Sequence, residues 1–316
     1  MADKTPRARA GSLHRPTGTS RPSAHRPSQA VAVAMLVAAS ACWGLATALS
    51  KVALAQLTPL DLFGCEVCVG AVCLGALALS RGARPSRPSL TLLALGALEP
   101  GIAFVLFDFG IYHTAATHAS LLLSTETLFT VSLAALLLRE RLTGRLAVAL
   151  AAGVAGSVLV AWHAGGEHAS LLGDCLVVMA SLAAAGYAVL ARHIAPEQDP
   201  VVVSAVQMLG ALLIAAPLTG GSIVVGATHL DSADLGHLAL AVTVGLTATV
   251  VPFLLFNTAV AHIPAMRAGL ILALVPLFGA AASIAVVGET LGAMQAAGGV
   301  LVIAAAALAA SRFELA

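Results

Sequence analysis

Charge is scarce in this chain: Asp, Glu, Lys and Arg make up 10% of its 316 residues, whereas soluble domains carry about 25%. Aromatic side chains are also few, at 4%, and the net charge is only +1. Charged residues keep a water-facing surface soluble, so a chain this poor in them is not expected to fold as a soluble domain. We also expect no nucleic-acid partner.

Motifs for the common catalytic chemistries are missing. The sequence has no Walker-type phosphate loop, no HExxH helix and no GxSxG turn, and so neither ATP hydrolysis nor ordinary hydrolytic catalysis is expected. Its five cysteines fall in apolar stretches, and the CxxC pair Cys65 and Cys68 has no second pair or ligating His nearby. We interpret these cysteines as small helix-packing residues. We therefore predict no enzyme activity, no metal and no cofactor.

Hydrophobic sequence is abundant, at 59% of the residues. A helix rises about 1.5 Å per residue, and so about 20 apolar residues cross the hydrocarbon core of a bilayer. Turn residues and charges divide the chain into ten such segments, at residues 31–54, 60–80, 89–112, 117–138, 146–163, 171–193, 201–218, 236–261, 266–287 and 292–310. The first segment is too long for the apolar region of a signal peptide. We predict an all-α membrane protein of ten transmembrane helices with the lipid bilayer as its solvent.

Basic residues set the expected orientation of these helices, because Lys and Arg beside short loops stay on the cytoplasmic side. Residues 1–29 are rich in Arg, Pro and Ser and are predicted to form a disordered cytoplasmic tail. With this tail inside, fifteen of the sixteen Lys and Arg residues fall in cytoplasmic segments, and only Lys51 lies outside. We expect both termini in the cytoplasm, the loop from Thr219 to Asp234 outside, and the protein in the plasma membrane.

The two halves of the chain resemble each other. Offsets of 141 and then 149 residues superpose them, and these offsets align Glu66 with Gln207 and Asp108 with Asn257. Each half holds five helices, an odd number, so the second copy should enter the membrane upside down relative to the first. We predict two inverted five-helix repeats, residues 30–165 and 170–311, an arrangement typical of secondary transporters.

Short motifs carry a family resemblance. The first half contains Ala41-Cys42-Trp43-Gly44 and Glu126-Thr127-Leu128-Phe129, and the second contains Val275-Pro276-Leu277-Phe278 and Gly288-Glu289-Thr290-Leu291. In the order and doubled arrangement of these motifs, residues 31–310 resemble the EamA repeats of the drug/metabolite transporter superfamily. The resemblance implies a ten-helix exporter-type carrier of amino acids, related metabolites or drugs. Glu66 stands where an Arg is common in that family, which implies a different preference for substrate charge.

Three acids fall near the middle of predicted helices, namely Glu66, Glu99 and Glu126. An acid at mid-bilayer costs about 2.5 to 3.5 kcal/mol on insertion scales, so such residues need a reason to be there. All three lie in the first repeat, and Gln207, the counterpart of Glu66, is uncharged. We expect them to serve proton coupling, recognition of a cationic or amino group, or both. The alternative is a neutral carboxyl that donates one interhelical hydrogen bond.

Other polar residues are expected to line a cavity between the repeats. The first helix carries polar side chains at spacings of three and four, which places them on one face: Ser40, Trp43, Thr47 and Ser50. Trp43 is expected either to stack on a ligand or to pack at a helix interface. Asp108 and Asn257 lie toward opposite membrane sides and are expected to act as gates, or else in polar packing between helices.

Proline interrupts three predicted helices, at Pro100, Pro252 and Pro276. Each removes a backbone hydrogen bond, and so each is a candidate hinge for alternating access or a fixed bend. Glu140 and Glu289 sit at helix ends, where solvated or capping roles dominate. The remaining histidines lie mostly at loop edges and are predicted to be solvated.

These features together predict a secondary active transporter of a small-molecule substrate, an exporter that exchanges substrate for protons. A membrane-embedded enzyme or lipid scramblase is a different interpretation, which needs a catalytic dyad or a lipid-facing polar groove. A non-transporting membrane scaffold is a third, for which buried acids would be superfluous.

Overall fold

The described part of the chain is helical throughout. The computed structural model describes residues 28–82, 90–137, 144–161, 170–191, 199–260, 262–263, 268, 271–272 and 274–310. Its helices are α1 (Gln29–Ala53), α2 (Pro59–Ser80), α3 (Leu90–His113), α4 (Ala116–Leu122), α5 (Thr125–Leu137), α6 (Gly144–Ala161), α7 (Leu171–Ala191), α8 (Pro200–Val224), α9 (Leu235–Val260), α10 (Val275–Val287) and α11 (Ala293–Ala310). The predicted tail lies almost wholly outside these residues, as do Glu140 and most of the arginines that set the expected orientation.

The helices match a membrane environment. Six of them, α1, α2, α3, α7, α8 and α9, are long and apolar enough to cross a bilayer, and shorter apolar helices lie in α6, α10 and α11. Large apolar side chains such as Leu79, Leu90 and Val224 are exposed on the outside, whereas polar side chains such as Glu66 and Gln207 are buried within. This distribution is the reverse of a soluble protein, so the chain is a multi-pass membrane protein.

Two predicted helix boundaries differ from the structure. The segment predicted as one helix over residues 117–138 is two helices, α4 and α5. The segment predicted to end at residue 218 continues as α8 to Val224, past Pro217 and the predicted loop start at Thr219. The hydroxyl of Thr219 donates to the Ala215 carbonyl, 2.7 Å away. In an apolar surrounding, such local bonding favours continuing the helix over exposing peptide groups.

The packing of the helices is pseudo-symmetric. Helix α1 packs against α9 and α10, and α7 packs against α3 and α5; α2 packs against α8, and α6 against α11. The sequence repeat pairs α1 with α7, α2 with α8, α3 with α9, α5 with α10, and α6 with α11. Under this pairing each of these contacts maps onto another one or onto itself. The packing therefore fits the two-repeat architecture.

Helices α1 and α10 approach each other at a glycine. A Cβ atom at Gly44 would lie 2.6 Å from the backbone nitrogen of Gly279 and 2.6 Å from the Phe278 Cβ. Both are too close for carbon, and neither belongs to a flexible side-chain end. Small residues allow such backbone contact between membrane helices, where dispersion replaces the hydrophobic effect as the attraction.

Replacement of Gly44 by Ala is predicted to destabilise the protein by about 1 to 3 kcal/mol, because α1 and α10 must separate to admit the methyl group. The measurement is the apparent melting temperature of the purified protein in detergent. Gly75→Ala in α2 is the matched control, since a Cβ there meets no atom within 4 Å. Equal melting temperatures for the Gly44→Ala and Gly75→Ala proteins would contradict the close approach.

Candidate functional site

The predicted site residues divide into buried and half-buried sets. Glu66, Asp108, Gln207, Thr47 and Asn257 are buried. Glu99, Glu126 and Trp43 are half-buried. The structure joins most of them in two groups, one formed by a pair of carboxyls and one by a longer chain of polar side chains.

The first group is the acid pair, Glu66 on α2 and Asp108 on α3. Their exposed fractions are 2% and 1%, and the Asp108 carboxyl lies within electrostatic range of the Glu66 carboxyl. Glu66 Oε2 and Asp108 Oδ2 have no hydrogen-bond partner among the described residues. The acid pair thus brings two buried acidic groups within electrostatic range of each other, and one oxygen of each is reached by no described donor.

The second group contains the amide pair, Gln207 on α8 and Asn257 on α9. Asn257 Nδ2 donates to Gln207 Oε1 at 3.1 Å and to the Ser204 hydroxyl at 2.8 Å. Gln207 Nε2 donates to the Tyr187 hydroxyl oxygen at 2.8 Å. An amide has both donors and an acceptor, so two of them can bond directly without a proton or ion between them.

Two further acids lie near Tyr187, the hydrogen-bond partner of Gln207. Glu99 follows the first turns of α3, where its backbone is extended (φ −144°, ψ 123°) within a π-helical segment, Ala97–Ile102. Glu126 lies in the first turn of α5. Their carboxyls are within electrostatic range of each other and of Tyr187. We call Glu126, Glu99, Tyr187, Gln207 and Asn257 the polar chain, which runs from the first repeat into the second.

Sequence reasoning missed Tyr187. It is one of only two tyrosines in the chain, and it falls inside the predicted helix over residues 171–193. A phenol hydroxyl in an apolar helix needs a hydrogen-bond partner, and this need could have identified Tyr187 as a candidate site residue. The structure supplies that partner from Gln207, twenty residues further along the chain.

Trp43 packs among aromatic side chains. Its ring contacts Phe253 and Phe256 edge-on, at centroid distances of 5.8 and 5.9 Å. Its Nε1 donates to the Ala248 carbonyl at 2.9 Å. That carbonyl lies four residues before Pro252, which has no N–H group to offer it. The described contacts of Trp43 thus match the packing role, one of the two expected for it.

The proline positions are only partly repeat-related. The π-helical segment of α3 begins at Ala97, and that of α9, Leu246–Val250, begins at the position 149 residues later. Pro100 lies inside the first segment, whereas Pro252 follows the second. Pro276 lies in the first turn of α10 rather than interrupting a continuous helix. A missing N–H is tolerated there, because first-turn N–H groups have no intrahelical acceptor.

Charged side chains satisfy the helix ends where α3 meets α4. Lys51 Nζ donates to the carbonyls of Ile111 and Thr114 at 2.8 and 2.6 Å. The Glu289 carboxylate accepts from the N–H groups of Ala116 and Thr117 at 2.8 and 2.7 Å. A cation at a helix C-terminus and an anion at an N-terminus both complement the helix dipole. Of the two roles expected for Glu289, capping is the one observed.

One prediction about histidine was wrong. His118 is only 4% exposed, and its Nδ1 lies 3.9 Å from Oδ1 of the buried Asp174. The Thr114 hydroxyl donates to the same oxygen at 2.6 Å. His118 and Asp174 both fall inside predicted helices, so their positions in the sequence already argued against a solvated role.

The loop between α8 and α9 is tied to the first turn of α2 and to the turn before it. The carboxylate of Asp61 accepts from the Thr228 hydroxyl at 2.6 Å and from the His229 N–H at 2.9 Å. Asp234 accepts from Gln56 Nε2 at 3.0 Å. Hydrogen bonds from the His237 ring and backbone lower the pKa of Asp234 to about 2. The loop is thus held by carboxylates.

Comparisons with known proteins give matches that cover most of the chain. The family model described as "EamA-like transporter family" matches residues 30–162 and 171–311. A protein of Salmonella typhimurium named "Probable amino-acid metabolite efflux pump" is 27% identical over 272 residues, covering 83% of this chain and 89% of that protein. The Escherichia coli protein of the same name is 27% identical over 271 residues, covering 83% and 88%.

A solved structure described only as "Crystal structure of protein" shares the fold. It superposes with a TM-score of 0.61 at 19% sequence identity and covers 91% of this chain and 100% of its own. At that identity the likeness concerns architecture alone.

Replacement of Glu289 by Gln is predicted to lower the free energy of unfolding by about 1 kcal/mol, because a neutral amide offers one acceptor oxygen instead of two and no charge. Thermal unfolding in detergent measures the effect. Asp231→Asn removes an acid from the exposed loop and is the control. The capping role is refuted if the two variants unfold at the same temperature.

Proposed function

The chain belongs to the EamA-like transporter family, and from this premise we propose that it is a secondary active transporter that exports a small metabolite by alternating access. Ten spans form two inverted five-helix repeats, residues 30–165 and 170–311, in the plasma membrane. Both termini are cytoplasmic. The pseudo-symmetric packing of α1 and α7, each against helices of the other repeat, supports this arrangement.

The polar chain is the observation that carries the proposal. Glu126 and Glu99 come from helices of the first repeat, and Tyr187, Gln207 and Asn257 from helices of the second. A boundary between two repeats is where alternating-access carriers hold their substrate. Acids inside an apolar bundle destabilise it, and a membrane scaffold without transport function would not need them.

An amino group is the substrate feature that suits this chain. Two neighbouring carboxyls and a phenol oxygen offer several acceptors to an ammonium group, and no Lys or Arg lies in α3, α5, α8 or α9 to compete for them. The similar proteins are named for amino-acid metabolite efflux. We assign Glu99 and Glu126 to the ammonium group of an amino acid or amine, with drug-like amines as further substrates.

The two π-helical segments are the proposed bending points. They start at repeat-equivalent positions in α3 and α9. Pro100 lies inside the first segment, and Pro252 follows the second. A π-helical segment and a proline both leave backbone groups without their usual partners, so a change of angle there breaks fewer hydrogen bonds. Bending at the two sites in alternation opens one side and then the other.

Solute counterflow tests the proposal. Liposomes that contain the purified protein and an unlabelled mixture of L-amino acids are diluted into a radiolabelled mixture of the same amino acids. We expect transient accumulation of label above that in protein-free liposomes. Glu99→Gln and Glu126→Gln should each reduce the initial rate about tenfold, the equivalent of about 1.4 kcal/mol of lost ammonium binding.

Asp231→Asn is the control for these variants, because it removes an exposed acid and should leave the rate unchanged. Wild-type liposomes that accumulate no more label than protein-free ones would sink the carrier proposal. Chemical conversion of the label without accumulation would instead indicate a membrane-embedded enzyme.

A further inference from the structure

We infer that the acid pair, Glu66 and Asp108, is the proton-binding site of this transporter and is separate from the carboxyls that contact substrate. The inference deepens the proposed function and rests on it. It assigns the coupling ion, a proton, to two named side chains. The amide pair, Gln207 and Asn257, occupies the equivalent position in the other repeat, and there no proton is bound.

Among the described residues, no ion pair joins a Lys or Arg to the acid pair. The nearest Lys along the packed helices, Lys51 on α1, bonds the carbonyls of Ile111 and Thr114 instead. Both carboxyls are almost fully buried, and one oxygen of each has no hydrogen-bond partner among the described residues. The sequences of α2, α3, α8 and α9 contain no Lys or Arg. Two adjacent ionised carboxylates without a cation are unstable in an apolar interior. A proton is the smallest ligand that removes this repulsion.

The repeat symmetry shows what one proton accomplishes. Glu66 corresponds to Gln207 and Asp108 to Asn257, so the acid pair and the amide pair occupy equivalent places. In the amide pair, an N–H group donates to a carbonyl oxygen at 3.1 Å. A proton on one carboxyl of the acid pair removes one of the two charges and gives that group an O–H donor. Without it, the two groups repel and the contact between α2 and α3 loosens.

Other titratable groups around the acid pair are few. Helix α2 packs against α3, α8 and α9, and α3 also packs against α1 and α7. Helix α1 carries Cys42 and Lys51, and α7 carries Asp174, Cys175 and Tyr187. On α2 itself the thiol of Cys65 lies within electrostatic range of Glu66. Helix α8 has no titratable side chain, and those of α3 and α9 beyond Asp108 are Glu99, Tyr112, His113 and His237. Glu99 belongs to the polar chain, Tyr112 and His113 lie at the end of α3, and His237 is bonded to Asp234.

The proton step requires no other reactant. Under the proposed orientation, Glu66 is seven residues from the outer end of α2 and Asp108 five residues from the outer end of α3. When the outer side opens, an O–H bond forms on one carboxyl with a proton from that side. After the bundle rocks, the same bond breaks and the proton leaves to the cytoplasm. Export of substrate then accompanies entry of one proton.

The double variant Glu66→Gln/Asp108→Asn tests this assignment. It turns the acid pair into a copy of the amide pair, so a hydrogen bond that already exists elsewhere in the protein should preserve the fold. The probe is the radiolabelled L-amino acid mixture in proteoliposomes, measured in counterflow and under an imposed pH gradient. We expect wild-type counterflow but at least a tenfold loss of gradient-driven accumulation.

Glu66→Gln and Asp108→Asn alone provide independent variants if the double variant fails to fold. In each, the new amide can donate to the remaining carboxylate, so gradient-driven accumulation should again be lost while counterflow persists. Infrared difference spectra between acid and alkaline pH should show a protonated-carboxyl band in the wild type that weakens in the variants. Asp231→Asn should leave this band and both transport assays unchanged.

Three results would overturn the assignment: wild-type accumulation that ignores the pH gradient, variants that still respond to it fully, or variants that lose counterflow as well. The first and second leave the carrier proposal standing, because counterflow needs no proton gradient. Absence of counterflow in the wild type would defeat the carrier proposal itself.

Discussion

The hydrocarbon core of a bilayer offers no water to a buried polar group, and the internal organisation of this protein depends on that constraint. Where α3 meets α4 inside the protein, the polar groups of the helix ends bond to charged side chains that are distant in sequence, Lys51 and Glu289. A carbonyl that lacks its usual donor beside Pro252 receives one from Trp43. The unpartnered oxygens of Glu66 and Asp108 contrast with these pairings. The buried hydroxyls of Ser124 and Ser181 also lack a partner among the described residues, but only the two carboxyls can carry a charge.

The two repeats share their packing but differ in their buried polar side chains. The two repeats pack alike, and their π-helical segments begin at equivalent residues. Yet the first repeat contributes carboxyls where the second contributes amides, at Glu66 and Gln207 and again at Asp108 and Asn257. In the proposed cycle, the symmetric scaffold allows two faces to open in turn, and the titratable groups of the first repeat couple the cycle to protons, whose gradient sets its direction. The polar chain contains the amide pair and joins it to Glu99 and Glu126 of the first repeat.

Much of the fold could be predicted because hydropathy and helix length are local properties. The first helix was expected over residues 31–54 and is found at Gln29–Ala53. Side-chain partners could not be predicted, because they depend on helices distant in sequence. Gln207 bonds Tyr187 and Lys51 bonds Thr114 only once those helices pack. The repeat alignment identified the equivalent residues of both pairs, but the direct bond within the amide pair required the structure.

Reciprocal movement of the two faces is the central claim, and distance measurement between spin labels tests it most directly. In a protein with its native cysteines replaced, labels at Ala55 and Ser232 report one face and labels at Ser80 and Asp199 the other; all four positions are exposed. On changing from alkaline to acid pH with the L-amino acid mixture present, the two distances should shift in opposite directions. Shifts of the same sign, or no shift at either face, would contradict alternating access.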